Sequence, residues 1–453
     1  MGISRLFDIA RRSMGVYQDA IYITSHNIAN ASNPAYSRQR VDLGTENPEI
    51  NAGFVWGTGV KIEDISRVRH QFADAQIRSN NQVFYDNQQR STILSQVESV
   101  FTEPSDLGLG NIMDEFFNSW NELSVTPNSS TLRDNVVQSA KKLSSKIQNI
   151  TDDFNTLQSD VWNSFKDKID DVNNHLKNIQ MLNKQISESE AVGQNSNDLL
   201  DRRDQAIDEL SQLVNINVTF DDQNSAMISI GGVYSVDKNY VTQFKADAED
   251  GKLKMVNEDG AEVALSGGEL GGLADVYGNQ IPAYRDKLDT LVSALMDNVN
   301  SIHKKGYSLG NPPQTGNDFF TSYTDGKLEI NSEILNDSNL ISVSSDGTSG
   351  NGDIALQISE ISNQKLINGA TLTESYANLV SGIGTDKVSA DNTMESTDLV
   401  LTQLEQEKSS VSGVSLDEEM TNLLTYQRSY DASAKLIKAA DEMLQTVLDL
   451  VGQ

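Results

Sequence analysis

Hydrophobic side chains near the start of the chain recur at alternating intervals of four and three residues. This spacing is that of an a/d heptad repeat, and it predicts a helix that ends before Pro34. The repeat positions are Ile3, Phe7, Ala10, Met14, Tyr17, Ile21, Thr24 and Ile28. The pattern fits a coiled-coil seam, and it fits equally an amphipathic helix that packs on its own domain.

The end of the chain carries the same alternation for five heptads. The repeat positions are Leu416, Met420, Leu423, Gln427, Tyr430, Ala434, Ile437, Asp441, Leu444, Leu448 and Val451. Ser415 and Glu418 form a capping box at its start, so we predict a terminal helix about 54 Å long. Such a helix needs a partner, because isolated helices are only marginally stable. The simplest partner is the N-terminal helix.

The middle of the chain is helical on both sides of a β-rich segment. Heptad-like apolar positions from Leu143 to Ile186 predict a long helix, with a stutter at Val161–Phe165–Ile169 that locally unwinds any supercoil. β-branched runs between turn formers predict antiparallel strands over 215–275. Shorter helices are predicted over about 71–101, 199–214 and 282–304, with two or three more over 353–412, and strand-like KLEINSEI follows residue 326.

We therefore predict a mainly α fold with a β insertion, in which the N- and C-terminal helices pair as a coiled coil. A long-helix middle domain and a small antiparallel β domain complete it. The expected domains are residues 1–70 with 413–453 (terminal coiled coil), 71–214 with 281–412 (helical middle) and 215–280 (β insertion).

Composition narrows the function. The net charge of −30 argues against nucleic acid as a partner, because phosphate binding needs clustered cations. The sequence has no cysteine, only four scattered histidines, and no HExxH, GxSxG or GxxxxGK[ST] motif, so we expect neither an enzyme nor a cofactor or metal site. The acidic segment at 345–353 departs from EF-hand spacing and is expected to form solvated turns. No run of about 20 apolar residues predicts membrane insertion.

One short segment carries a resemblance. Residues 25–41 read SHNIANASNPAYSRQRV. They resemble the signature S-x-N-I-A-N-x-x-T-P-G-Y that follows the first helix in rod, hook and hook-associated proteins of the bacterial flagellum. Asn33 stands where that pattern has Thr, and Ala35 where it has Gly. A side chain at Ala35 disfavours the positive φ that glycine would allow.

Three further segments agree with this resemblance. VSGVSLDEEMTNLLTYQRSYDASAKLIKAADEMLQTVL (411–448) is similar to the C-terminal helix shared by hook and junction proteins. NDLLDRRDQAIDELSQLVNINV (197–218) and GGLADVYGNQIPAYRDKLDTLVSALMDNVNSIHKKGYSLG (271–310) resemble interior segments of the hook-associated protein 1 branch. A rod or hook protein would lack these interior segments.

The resemblance implies a structural axial component that joins hook to filament. Its implied partners are lateral copies of itself, the hook protein, hook-associated protein 3, a dedicated export chaperone on the C-terminal helix, and the flagellar export apparatus. It also implies an extracellular place at the hook–filament junction, reached without a cleaved signal peptide. No cofactor is implied.

We place the assembly contacts on the two seams and on the loop between them. The N-terminal set is Ile3, Phe7, Ala10, Met14, Tyr17, Ile21, Asn27, Ile28, Asn30, Tyr36, Arg38 and Arg40. The C-terminal set is Leu416, Met420, Leu423, Gln427, Tyr430, Ala434, Ile437, Leu444, Leu448 and Val451. Arg38 and Arg40 are expected either to pair with acids of an adjacent subunit or to form a solvated basic loop. Polar Gln427 and Asp441 are expected to fix the register of the coiled coil.

Three alternatives remain open from the sequence. The first is another axial component, a hook or rod protein. The second is a secreted surface antigen or adhesin with the β insertion as its working part. The third is a plain coiled-coil tether, which the stutter helix suggests.

Overall fold

The computed structural model describes residues 2–51, 53–101, 107–194, 196–310 and 312–451; the side chains of Asn51, Leu450 and Val451 lie outside the described part. Its α-helices are α1 Gly2–Ala29, α2 Gln71–Phe101, α3 Leu109–Val125, α4 Ser130–Ala191, α5 Asn197–Leu213, α6 Gly268–Asp275, α7 Ile281–His303, α8 Ser332–Asn336, α9 Asp353–Ser359, α10 Leu372–Ser412 and α11 Leu416–Val451. The mainly α fold class with paired terminal helices is confirmed.

The strands are short and pair antiparallel with near neighbours in sequence. They are β1 Gln39–Thr45, β2 Glu49–Asn51, β3 Phe54–Trp56, β4 Val60–Arg67, β5 Ile216–Phe220, β6 Ala226–Ile230, β7 Val233–Val236, β8 Phe244–Glu249, β9 Lys252–Asn257, β10 Phe320–Thr324 and β11 Lys327–Ile330. The pairs are β1–β4, β2–β3, β8–β9 and β10–β11, and β5–β6–β7 form a three-stranded sheet.

The chain divides into two compact units. The first contains residues 1–82, 172–243 and 397–453, and the second contains 83–171 and 244–396. The predicted β segment contributes to both, with β5–β7 in the first unit and β8–β9 in the second. The predicted division into terminal, middle and β domains has other boundaries and stays a prediction.

The heptad pattern of the long middle helix is confirmed. Every apolar position used to predict it is buried: Leu143, Ile147, Ile150, Phe154, Leu157, Val161, Phe165, Ile169, Val172, Leu176, Ile179, Leu182 and Ile186. Burial of such side chains contributes roughly 1.5–3 kcal/mol each. The helix begins at Ser130, well before the first of these residues. No helix in the described ranges is long and apolar enough to cross a membrane.

The second unit has an aromatic core. The ring centres of Trp120 on α3 and Phe319 lie 5.2 Å apart, edge to face. His303 lies against both rings, at 6.2 and 5.6 Å. It accepts a hydrogen bond at Nε2 from the backbone of Ser342, so Nδ1 carries its proton toward the carbonyl of Asn317. Burial lowers the pKa of His303 to about 4.

The prediction for KLEINSEI was half wrong. KLEI forms β11, but SEILN forms α8. The side chain of Asn331 accepts a hydrogen bond from the amide of Glu333 and so caps the new helix. A local cap of this kind stabilises the first turn and outweighs the β propensity of the following isoleucine.

Candidate functional site

The two ends of the chain lie against each other in the first unit. Glu419, in the first turn of α11, is hydrogen-bonded to Asn27 at the end of α1. Further along both helices, Tyr426 stacks on Tyr17 with ring centres 6.4 Å apart. Residue numbers rise along α11 in the direction in which they fall along α1, so the two helices run antiparallel.

The predicted seam residues divide into covered and uncovered groups. On the N-terminal side Ala10, Thr24 and Asn27 are buried, Ile3, Met14, Tyr17, Ile21, Ile28, Asn30, Tyr36 and Arg38 are half-buried, and Phe7 and Arg40 are exposed. On the C-terminal side Leu423, Tyr430, Ala434 and Ile437 are half-buried, and Leu416, Met420, Gln427, Asp441, Leu444 and Leu448 are exposed. The side chain of Val451 lies outside the described part.

The covered face of α11 shares Leu423, Tyr430 and Ile437 with the predicted seam and otherwise lies one position before it. Glu419, Tyr426, Ser433 and Ala440 are covered where the prediction has Met420, Gln427, Ala434 and Asp441, and the intervals are again four and three. Gln427 and Asp441 are exposed, so the expectation that they fix the register is wrong. Hydrophobicity alone favoured Met420 over its neighbour Glu419. The carboxylate is buried nevertheless, because polar partners from the other end of the chain satisfy it.

Asn27 joins three segments of the chain. Its Nδ2 donates to the Gln39 carbonyl at 2.8 Å and to Glu419 Oε2 at 3.0 Å. Its Oδ1 accepts from the Gln39 amide at 3.0 Å and from the Tyr36 hydroxyl at 2.7 Å. A side-chain amide has two donor hydrogens and two acceptor lone pairs, so this buried group is fully satisfied. It ties α1 to the start of β1 and to α11.

Arg38 faces the same carboxylate from the loop. Its Nε donates to Glu419 Oε1 and its Nη1 to Glu418 Oε2, both at 2.8 Å. Glu419 is almost fully buried, whereas Glu418 is 60% exposed. Arg38 is therefore not part of a solvated basic loop, because acids of its own chain hold it, and its pairing with an adjacent subunit stays a prediction. Arg40 is exposed and pairs with Asp42 at 2.8 Å.

Aromatic and backbone contacts hold the loop from residue 30 to residue 38 in place. The Tyr36 ring lies edge-on to His26 at 5.4 Å, and His26 Nδ1 lies 3.1 Å from the phenol oxygen. Because the phenol hydrogen goes to Asn27, His26 Nδ1 is the donor in that contact. Burial raises the pKa of Tyr36, and the carboxylates of Asp198, Asp201 and Glu419 raise it further. The phenol therefore stays protonated.

Ala35 stands where the family pattern has glycine, and its backbone does not have the positive φ that glycine would allow. The non-glycine residues with positive φ, among those the structure describes, are Asn224, Asp250, Asp325 and Asn368. Ala35 therefore has a negative φ, in keeping with the steric cost of the alternative. The following backbone is held in place, since the Arg38 amide donates to the Ser412 carbonyl at 3.0 Å.

A third element, α5, supplies a face of carboxylates that the sequence analysis missed. Asp201 accepts from the Ser37 amide at 3.0 Å and from Arg67 at 2.7 Å. Asp198 accepts from Gln39 Nε2 at 3.1 Å. The signal was present, because Asp198, Asp201, Asp204 and Asp208 recur at intervals of three or four and share one helix face. Acidic stripes of this kind usually face solvent, so the pattern alone does not predict that this one is buried.

The same face holds a network of buried charges. Arg67 bonds Asp204 at 3.0 Å, and Arg69 lies 3.4 Å from it. Burial opposes the charged form of Asp204, but Arg69, Arg67, Arg203 and Arg78 together hold its pKa below the usual value. The acid therefore stays ionised. Arg78 pairs with Asp208 at 2.6 Å, which fastens α2 to α5.

This arrangement acts as a clasp. It consists of Asn27, Tyr36, Arg38, Gln39, Asp201 and Glu419, and it fixes α1, the loop, β1, α5 and α11 to one another. Its central members, Asn27 and Glu419, are buried and hydrogen-bonded, and buried polar networks of this kind specify one arrangement when their members are satisfied. The acidic segment at 345–353 forms hydrogen bonds within itself and with its neighbour, because the Asp346 carboxylate accepts from Ser344 and Thr348. The fold and the clasp define a structural protein whose two ends form one antiparallel helical stem.

Comparisons with known proteins identify the family. The model "Flagellar hook-associated protein FlgK helical domain" matches residues 94–320, half of the chain, and the "Flagellar basal body rod FlgEFG protein C-terminal" model matches residues 405–450. The chain belongs to the flagellar hook-associated protein FlgK family. The match at residues 405–450 covers the end that rod and hook proteins share. The match at residues 94–320 therefore distinguishes this chain from rod and hook proteins.

Relatives extend over nearly the full length. Flagellar hook-associated protein 1 of Bacillus subtilis is 29% identical, with 98% of each chain covered. The protein of the same name from Salmonella typhimurium is 24% identical over 99% of this chain and 100% of its own. A solved structure of the flagellar hook junction protein FlgK from Burkholderia pseudomallei has the same fold, with a TM-score of 0.65 at 15% identity, covering 74% of this chain and all of that one.

Proposed function

We propose that this chain is the structural subunit that joins the flagellar hook to the filament. The observation that carries the axial part of the proposal is the clasp around Asn27, which closes the two chain ends into one stem at the signature segment that axial proteins share. Membership of the hook-associated FlgK family supports it. The protein is a structural component of the flagellar axis, and it associates there with other axial components.

The stem is the part that enters the assembly. Before assembly, α1 and α11 must find each other across the whole chain, and the clasp makes that pairing specific. Burial of two charged groups costs free energy unless both are bonded, as Glu419 and Arg38 are. A misaligned pairing would leave the Glu419 carboxylate buried without partners. The clasp therefore selects one register, while the apolar positions supply affinity.

The exposed part of α11 supports the partners that the family implies. Leu416, Met420, Leu444 and Leu448 remain uncovered in the isolated chain. We assign these side chains and the exposed Phe7 to contacts with the hook protein, with hook-associated protein 3 and with lateral copies. Before export the same apolar stripe would be covered by a dedicated chaperone. The expected route is the flagellar export apparatus, without a cleaved signal peptide, to an extracellular place at the hook–filament junction.

Electron microscopy of cells that lack the gene tests the proposal. We expect completed hooks without filaments, and flagellin shed into the medium. Return of the intact gene should restore filaments, which controls for effects on neighbouring genes. Missing hooks would instead assign the protein to the rod or the hook, and normal flagella would overturn the axial function.

The chaperone assignment has a separate test. Deletion of residues 416–451 should abolish capture of the chaperone by the purified chain, because the apolar stripe of α11 is the expected binding surface. Deletion of the hairpin residues 49–56 is the matched control and should leave capture unchanged. Equal capture by all three chains would contradict the assignment.

A further inference from the structure

A small hairpin beside the stem exposes an unusual amount of apolar surface. Strands β2 and β3 pair with Ile50 opposite Val55 and Glu49 opposite Trp56. Ile50, Phe54, Val55 and Trp56 are between 49% and 76% exposed. Successive strand residues point to opposite faces, so Ile50 and Val55 are exposed on one face of this hairpin and Phe54 and Trp56 on the other. Phe54 and Trp56 alone expose roughly 200–250 Å². Patches of a few hundred Å² mark interaction sites on soluble proteins.

The hairpin is nevertheless held in a defined place. Arg5 of α1 pairs with Glu49 at 3.3 Å and lies 5.7 Å from the centre of the Trp56 ring. At the base of the hairpin, Thr58 donates to the Asn47 carbonyl at 2.6 Å, and the Glu46 amide donates to the Gly59 carbonyl at 3.0 Å. The exposed side chains therefore sit beside the first turns of α1.

A second uncovered apolar surface lies at the same end of the stem. The contacts of Asn27 with Glu419 and of Tyr17 with Tyr426 place Gly2 opposite about residue 441–444 of α11, counting along both helices. The last turns of α11, from about residue 443, therefore lie at or beyond the level of the described start of α1. We call the apolar residues of these turns the α11 overhang; Met443, Leu444, Val447 and Leu448 are between 40% and 67% exposed.

We propose that the hairpin of one copy binds the α11 overhang of the next copy around the flagellar axis. The inference rests on the proposed assembly function and names the lateral partner. The two surfaces lie at the same level along the stem. Copies related by rotation about an axis parallel to the stem bring them together, whereas head-to-tail stacking would separate them by the length of a subunit. Such a contact uses different patches on each copy, so it can repeat from one copy to the next around the axis.

Charge favours a second copy as the occupant. At a net charge of −30, copies repel one another unless the contact surface is free of bare carboxylates. Residues 443–448, MLQTVL, contain no charged side chain. At the hairpin, Glu49 is paired with Arg5 and Glu46 with Arg12. The exposed acids Asp441, Glu442 and Asp449 flank residues 443–448, so they lie at the rim of the contact while its apolar centre carries no charge.

Cross-linking in assembled flagella tests the contact, because the chain contains no cysteine. Two single-cysteine chains, Val55→Cys and Val447→Cys, are co-expressed in cells that lack the wild-type gene. Isolated hook–filament structures are then treated with a short bismaleimide. We expect a dimer of the two variants in the mixture and no dimer when either variant is expressed alone. Trp56→Ser added to the Val55→Cys chain should remove most of the dimer.

The control pairs Val55→Cys with Val388→Cys, an exposed position in the second unit, and should give no dimer. A dimer of Val55→Cys chains alone would mean a hairpin–hairpin contact and would overturn the inference, as would cross-links only to another flagellar protein. Filaments without any cross-link would overturn the lateral contact and leave the proposed function standing. Loss of the junction function is read separately, from flagellin in the medium of the deletion strain.

Discussion

Asn27 and Glu419 stand 392 residues apart in the sequence and are joined by a 3.0 Å hydrogen bond inside the protein. The bond connects the last turn of the first helix to the first turn of the last helix. Because both groups are buried and each has further partners, the bond does more than add affinity. It defines which residue of one helix faces which residue of the other. Three measurable predictions concern this region, and a fourth concerns the second unit.

Replacement of Asn27 by alanine should loosen the stem. The change leaves the Gln39 backbone and the Glu419 carboxylate short of partners, at a cost of about 2–4 kcal/mol of unfolding free energy. Faster amide hydrogen exchange in α1 and the start of α11 would report it. Asn47→Ala, at an exposed position in the same unit, is the control and should change little. Unchanged exchange in Asn27→Ala would refute the role of the clasp.

Glu419 and Glu418 offer a matched pair of charge removals on adjacent residues. Glu419→Gln breaks a buried ion pair with Arg38 and should cost about 3–5 kcal/mol. Glu418→Gln removes an exposed partner of the same arginine and should cost less than about 1 kcal/mol. Denaturant unfolding of both variants gives the comparison. Equal effects would mean that burial of Glu419 contributes nothing to stability.

Gly413 should not tolerate a side chain. A Cβ at this position would lie 2.3 Å from the carbonyl oxygen of Ser409, which is backbone and cannot simply rotate away. We expect Gly413→Ala to lower stability by about 1–3 kcal/mol and to shift the start of α11. Gly384 lies inside α10, and a Cβ at this position would meet no atom within 4 Å, so Gly384→Ala should stabilise the helix by about 0.5–1 kcal/mol. Thermal unfolding of the two variants checks the opposite signs.

His303 should make the second unit sensitive to mild acid. Its pKa is about 4 in the folded protein and 6.5 when the ring is free, so the unfolded chain binds a proton first as the pH falls. The stabilising difference is complete above pH 6.5 and is lost progressively toward pH 4, by up to about 1.4 kcal/mol per pH unit. Denaturant unfolding at several pH values measures the slope.

The acid sensitivity has its own control. His303→Gln should flatten the dependence between pH 4 and pH 6.5, because the titrating ring is gone. His175→Gln, in the first unit, is the control and should leave the acid dependence of the second unit unchanged. A wild-type slope in His303→Gln would assign the acid sensitivity to other groups.

Periodicity in the sequence predicted the helices, and the resemblance of four segments indicated the family. Apolar positions three and four residues apart are a local property, so α11 was predicted with its observed bounds, Leu416–Val451. The buried line of α4 could be listed for the same reason. The signature after α1, together with the similar segments 197–218, 271–310 and 411–448, implied the axial family, and the two terminal heptad patterns predicted the pairing of the ends.

Only the tertiary structure decided which side chains lie between the paired helices. Glu419 is buried and Met420 is exposed, against their hydrophobicity, because Asn27 and Arg38 approach one side of α11 and not the other. The acidic face of α5 belongs to the clasp because arginines of β4 and α2 reach it. Burial of a polar group depends on partners that are distant in sequence, and a single chain read in order does not reveal which distant residues will meet.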